Sequence, residues 1–330
     1  MRLRIIKPGL LSTVQDTGRR LYLSHGVPLS GAMDTLSARL ANIALGNNED
    51  DAVIEFTYAG ALFIAETSML IAYAGGGMAL VAGDTTLPAN RPVYLSAGTQ
   101  VQCISRPQGC RTYLAVAGGF NVPVILGSRS TCITAGFGGL QGRALQKGDV
   151  LDSGAEITFT TRSILNSLQG STISFTGWSV AAHLLQPADT SRVRVVPAHE
   201  FNWFDSRSVI DFLTTPYTLN VSSNRMGCNF DGATIERLIP GEMLSTAVAP
   251  GTIQVTGNGR LVLLMTDCQT TGGYPRIAQV AAVDLHLCSQ LNPDDSIYFK
   301  DITAREAQKL YIELEQQLYK LAVTVKSRFY

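Results

Sequence analysis

The chain has 330 residues, enough for two ordinary domains each with its own core, and its 26 Lys plus Arg balance 26 Asp plus Glu. With no net charge and no basic run, the sequence lacks the electrostatic footprint of a nucleic-acid or anionic-membrane binder, and neither partner is expected. Charged residues are only 16% of the chain against 45% hydrophobic, so part of the surface is expected to lie under a protein partner.

In chain order, the basic N-terminus breaks at Pro8-Gly9 before a signal-peptide core can form, so no export is implied and the expected location is the cytoplasm. Residues 33–45 have helical period and stop at Gly46-Asn47. The uncharged stretch between Glu66 and Asp84 is broken at Gly75-Gly76-Gly77 and falls short of the roughly 20 apolar residues of a membrane span, so it reads as two core strands and a turn. Short alternating or apolar runs at 62–71, 78–81, 92–95, 100–105, 112–117, 157–161, 193–196, 218–221, 252–255 and 261–265 predict a mainly β protein with a few helices. Further helices are predicted at 204–213 and 303–321, the last opening with the capping box Thr303-Ala304-Arg305-Glu306. Arg192 to Pro197 echoes Arg2 to Pro8, marking a second start, and the polar stretches 160–169 and 186–191 read as linker. The predicted division is a domain at 1–165, a linker at 166–189 and a domain at 190–330.

The chemistry-bearing residues lie in glycine-containing clusters. The richest is Met265-Thr-Asp-Cys-Gln-Thr-Thr-Gly-Gly-Tyr-Pro-Arg276, which follows a buried-strand pattern at 259–265 and so emerges at a strand end. Others are 13–19 (Thr-Val-Gln-Asp-Thr-Gly-Arg), 30–34 (Ser-Gly-Ala-Met-Asp), 126–131 (Leu-Gly-Ser-Arg-Ser-Thr) and 221–227 (Val-Ser-Ser-Asn-Arg-Met-Gly). Arg19, Arg129, Arg143, Arg225 and Arg276 fall in or beside such loops, where guanidinium groups and backbone N–H groups can receive a carboxylate or phosphate. Taken singly, each is expected to tie its loop to a buried Asp16, Asp34, Asp149 or Asp267. His286 sits in an apolar segment and reads as a packed residue; His25 lies between two clusters; His183 and His199 flank the predicted boundary. The six cysteines have no metal or redox spacing, and phosphate-loop, dinucleotide, nucleophile-elbow and zinc-protease motifs are missing, as is a Met-Lys biotin attachment site. Any biotin must therefore arrive on another chain.

In order and content, the clusters resemble the allophanate hydrolase subunit 2 family, also called the biotin-dependent carboxyltransferase family. The likeness extends through Lys7-Pro-Gly-Leu-Leu-Ser-Thr-Val-Gln-Asp16, Arg111-Thr-Tyr-Leu-Ala-Val-Ala-Gly-Gly119 and Gly251-Thr-Ile-Gln-Val255. Departures are Ala198 where the family usually has glycine, Ala61 where it has proline, and Asn224 where Asp is common. Asn224 keeps a hydrogen-bonding shape but loses the charge that a base or metal ligand needs. The resemblance implies two cyclophilin-like β-barrel domains. It also implies one component of an ATP-dependent 5-oxoprolinase complex that opens 5-oxo-L-proline to L-glutamate, working with a homologous B component and with an A component of different fold. ATP with Mg2+ would be shared with those partners. The same likeness admits a urea amidolyase-type carboxyltransferase acting on a small amide, with biotin on a separate chain, or a non-catalytic antagonist that binds a kinase-inhibitor homologue. For the first reading, Arg19 and Arg225 are assigned to anion binding, and Asp16 and Asp267 to orienting them or holding magnesium. Asn224 is the remaining catalytic candidate, and Gln269, Thr270, Thr271, Gly272, Gly273 and Tyr274 are assigned to substrate.

Overall fold

The computed structural model describes residues 1–238 and 243–329. They form two compact units: Met1–Gly18 with Ser30–Leu185 and Gln316–Tyr330, and Arg19–Leu29 with Gln186–Glu315.

In the first unit, strands Val150–Asp152, Arg2–Pro8, Ala61–Ala65, Gln100–Ser105, Met78–Ala82 and Thr85–Thr86 form one sheet in that order. Strands Ile173–Phe175, Val93–Leu95, Met69–Ala74, Arg111–Val116, Val53–Thr57 and Leu11–Gln15 form the other. Because side chains alternate along a strand, each sheet turns one apolar row inward; Leu3, Ile5, Phe63 and Val101 of one meet Phe56, Ile71, Leu95 and Leu114 of the other in a single core. The rings of Phe56 and Phe63 stack at 6.4 Å. Strand Met69–Ala74 is buried on both faces because helix Thr35–Leu45 covers its outer side. Asp34 caps that helix by accepting from Ser37 N at 2.8 Å.

The second unit is a closed barrel: Arg192–Pro197, Arg276–Val280, Thr252–Val255, Leu261–Leu264, Gly227–Asp231, Tyr217–Leu219 and Ser296–Asp301. Its ring closes through one parallel pairing, Arg192 opposite Tyr298 to Val195 opposite Asp301, while the other pairs are antiparallel. Closure removes the sheet edges, and an aromatic cluster fills one end: Phe299 stacks on Phe212 at 4.9 Å and meets Phe230 edge-on at 6.1 Å.

The protein is mainly β with a few helices, as expected, with a seven-stranded barrel in one unit and two six-stranded sheets in the other. The predicted helices occupy Thr35–Leu45, Ser206–Thr214 and Ala304–Ser327. Glu306 N donates to Thr303 Oγ1 at 3.2 Å and Thr303 N to Glu306 at 2.8 Å, which is the capping box. The run at 62–71 is two strands with a turn at Glu66 to Ser68. Residues 157–161 and 160–169, read as strand and linker, instead carry helix Phe159–Leu168; Thr158 caps it and Ile164 is fully buried, so packing overrides the polar composition. The 166–189 stretch is likewise structured, since Ile173–Phe175 pairs with Val93–Leu95. Residues 19–29 and 316–330 cross the predicted halves, because unit membership follows packing rather than chain order.

Candidate functional site

Strand Gly227–Asp231 pairs antiparallel with Leu261–Leu264 in a register that sets Gly227 opposite Leu264, so Arg225 and Asp267 meet just beyond the strand ends. Two backbone bonds extend the ladder, Met265 N to Met226 O at 2.9 Å and Asp267 N to Arg225 O at 3.0 Å. Arg225 then grips Asp267 with Nε to Oδ2 at 2.8 Å and Nη2 to Oδ1 at 3.2 Å, and both side chains are almost wholly buried. A forked, dry pair of this kind satisfies both charges. Its first role is to tie the 221–227 loop to the 265–276 loop, as expected of a structural arginine. Asn224 is exposed and accepts from Met226 N at 2.7 Å, a local turn that asks for a side-chain oxygen and no charge.

Asp16 lies in the first unit, at the end of Leu11–Gln15. Its Oδ1 accepts from Gly18 N at 2.8 Å, from Ser128 Oγ at 2.7 Å and from Ser130 Oγ, while Oδ2 accepts from Arg129 N. The carboxylate thus stitches the 13–19 cluster to the 126–131 cluster. Arg19 is buried, and its backbone N donates to Leu29 O at 2.7 Å. Arg143 pairs with Asp149 at 2.7 Å, again within one loop. His25 is exposed in a 3-10 turn and His286 is buried in helix Leu285–Ser289.

The 269–274 residues run along the barrel unit. Thr270 O accepts from Val248 N at 3.0 Å, and Thr271–Gly272 pairs with Thr246–Ala247 as a two-stranded ribbon. Gly272 is required by close approach: a Cβ there would stand 2.5 Å from Gln254 Nε2, which donates to Tyr274 O at 3.2 Å. Gln269, Thr271 and Tyr274 point to solvent, so the cluster offers an amide, a hydroxyl and a phenol from a braced backbone. Burial, followed by the neighbouring Asp267 charge, pushes the Cys268 thiol up to about 12, which removes it as a nucleophile.

Ala247 of the ribbon also lines a cavity of about 330 Å³, together with Ala198, His199, Arg276, Ala278 and Gln279 among others. Arg276, which closes the 265–276 cluster, donates from Nε to Glu200 Oε2 and from Nη2 to Glu200 Oε1, both at 2.7 Å, and from Nη1 to Ala247 O at 3.2 Å. These bonds hold the Glu200 carboxyl below the usual carboxylate range, so it is ionised at neutral pH. Gln279 is oriented at both ends, Oε1 accepting from Thr252 Oγ1 and Nε2 donating to Pro250 O, each at 2.9 Å. The sequence reading missed Glu200, Thr252 and Gln279. Only the neighbouring Pro197-Ala198 motif and the Thr252-Ile-Gln run hinted at them, and neither says that Glu200 meets a residue 76 positions away.

No cluster of three or more His, Cys, Asp or Glu suited to a metal exists among the described residues. Magnesium does not fit the two carboxylates proposed for it, since Asp16 is saturated by protein donors and Asp267 is clasped by Arg225. Nor is any helix among them long and apolar enough to cross a membrane.

Residues 25–301 match the family model for the carboxyltransferase domain, subdomain A and B. The chain belongs to this family. It is similar to the C component of 5-oxoprolinase from Escherichia coli (strain K12), 34% identical over 97% of either protein. It is also similar to the urea amidolyase of Lachancea kluyveri, 32% identical over 93% of this chain but only 17% of that longer protein. Among solved structures, the urea carboxylase of Kluyveromyces lactis superposes with a TM-score of 0.86 at 28% identity, over 97% of this chain and 29% of that one.

Proposed function

We propose that this family member is the C component of an ATP-dependent 5-oxoprolinase, converting 5-oxo-L-proline to L-glutamate in the cytoplasm together with a homologous B component and an A component. The observation that carries this reading is the 34% identity to a protein named as the C component of 5-oxoprolinase, spread over 97% of both chains. A five-membered lactam resists hydrolysis, which is why the reaction is coupled to ATP; positioned cations and donors matter more in such a reaction than a general base. The barrel unit offers such donors in Gln269, Thr271 and Tyr274, with Thr270, Gly272 and Gly273 shaping the backbone that carries them. ATP and Mg2+ belong to this proposal at a site that partner chains complete, because Asp16 and Asp267 are already spent on protein contacts. Arg19 keeps its assignment to anion binding in this proposal, and Arg225 and Asn224 shape the 221–227 loop. The test is co-expression with the two other components of the complex, followed by an assay of glutamate and phosphate release from 5-oxo-L-proline plus ATP. Coupled release that vanishes without this chain supports the reading; a stable complex releasing neither product overturns it.

A second reading is a carboxyltransferase component that works on urea or a related amide with biotin supplied on a separate chain. It is favoured by the carboxyltransferase family match and by the urea carboxylase superposition. Transfer of carboxylate from a carboxybiotinyl carrier to urea, with no lactam opening, would select it.

A further inference from the structure

The geometry points to the cavity beside Arg276 as the seat of a small cyclic amide acid, with the ligand carboxylate on the Arg276 guanidinium and its amide edge toward Gln279. This deepens the oxoprolinase reading and rests on it for the identity of the ligand. Of the five guanidinium N–H groups, three have protein acceptors, two on Glu200 and one on Ala247. The remaining two sit one on each terminal nitrogen and have no acceptor among the described residues. Two N–H groups on neighbouring nitrogens match the two oxygens of a carboxylate. Gln279 is similarly half used: Thr252 takes one lone pair of its oxygen and Pro250 one of its N–H groups, leaving an acceptor and a donor on an amide that cannot rotate. Its orientation is locked from below, because Gly251 at φ +91° leaves the space in which a Cβ would meet Gln279 Nε2 at 2.5 Å. A free acceptor and a free donor on one planar group complement the N–H and C=O of a lactam.

Size and charge narrow the ligand further. A volume of about 330 Å³ lies at the small end of ligand sites and suits a five-membered ring with a carboxylate, not a nucleoside triphosphate. The alanines at 198, 247, 249 and 278 keep the walls short. Glu200 cancels the Arg276 charge, so the carboxylate is held by oriented donors rather than by net attraction.

The experiment titrates the full-length chain with 5-oxo-L-proline, with 2-pyrrolidinone, which lacks the carboxylate, and with urea, followed by ligand-observed NMR. The expected result is saturable binding of 5-oxo-L-proline at least about tenfold tighter than of the other two. Ala247→Phe, a substitution at an exposed position on the cavity wall, should abolish it while thermal unfolding stays unchanged. Because removing Arg276 alone strands a buried carboxylate, the second variant is the pair Glu200→Gln with Arg276→Met, which should bind 5-oxo-L-proline no better than 2-pyrrolidinone. No saturable binding at millimolar ligand, equal binding of 2-pyrrolidinone, or unaltered binding in a folded Ala247→Phe chain would each overturn the assignment. Failure of the activity reading is separable. An assembled complex that opens the lactam with an unchanged KM in Ala247→Phe refutes the cavity alone, whereas carboxylate-dependent binding without turnover refutes the activity alone.

Discussion

Replacing Asp267 with alanine removes the two carboxylate oxygens that grip the almost wholly buried Arg225 guanidinium. The direct term is large: unit charges about 4 Å apart at an effective dielectric of about 20 attract by about 4 kcal/mol. Removal of one partner of a buried pair costs about 3–5 kcal/mol, and the loop ladder through Met265 and Asp267 loses its brace as well. The double change Arg225→Met with Asp267→Leu removes both charges at similar volume and should cost less than about 1 kcal/mol. The chain has two tryptophans, Trp178 in the first unit and Trp203 in the second, so a Trp178→Phe background reports on the barrel unit alone. Urea unfolding followed by Trp203 fluorescence should show the single variant's midpoint falling steeply and the double variant's near the parent. If Asp267→Ala costs less than about 1 kcal/mol, the pair is not a structural tie, and the 265–276 loop must be held by its backbone alone.

Asp16→Ala strands the donors of Ser128, Arg129 and Ser130 and should lower the stability of the first unit by about 3 kcal/mol, read by calorimetry; a change below about 1 kcal/mol would refute the stitching role. Glu200 has a carboxyl held below its ordinary 4.5, so its contribution is complete above that value and is lost as pH falls through the lower folded value. The stability gap between the parent and Glu200→Gln should therefore narrow on acidification below about 4.5, and a gap that widens would reverse the sign. Gly272→Ala pushes a Cβ into Gln254 Nε2 and breaks its bond to Tyr274 O, at a cost of about 1–2 kcal/mol and with faster hydrogen exchange at Thr271 and Tyr274. Thr303→Ala loses one half of the capping box and should cost about 1 kcal/mol, seen as fraying of the Ala304–Ser327 helix start by circular dichroism and NMR.

Local physics was readable without a structure. Apolar alternation marked about half of the strands, and the Thr303 capping box marked the start of the last helix, because period and capping are properties of neighbours along the chain. Arg225 and Arg143 each close on a carboxylate that the sequence named, Asp267 and Asp149, although Arg225 was assigned to anion binding. Local physics failed at 160–169, where threonines and serines suggested a linker but Ile164 found a core to bury in. What only tertiary structure decided was register over long separations: Asp16 meets Ser128 112 residues on, Glu200 meets Arg276 across 76, and one parallel pair of strands closes the barrel. A sequence states which groups are available to pair, but many pairings satisfy the same charges. The choice among them is made by strand register, which brings certain loop ends within hydrogen-bonding reach and leaves equally suitable ones apart.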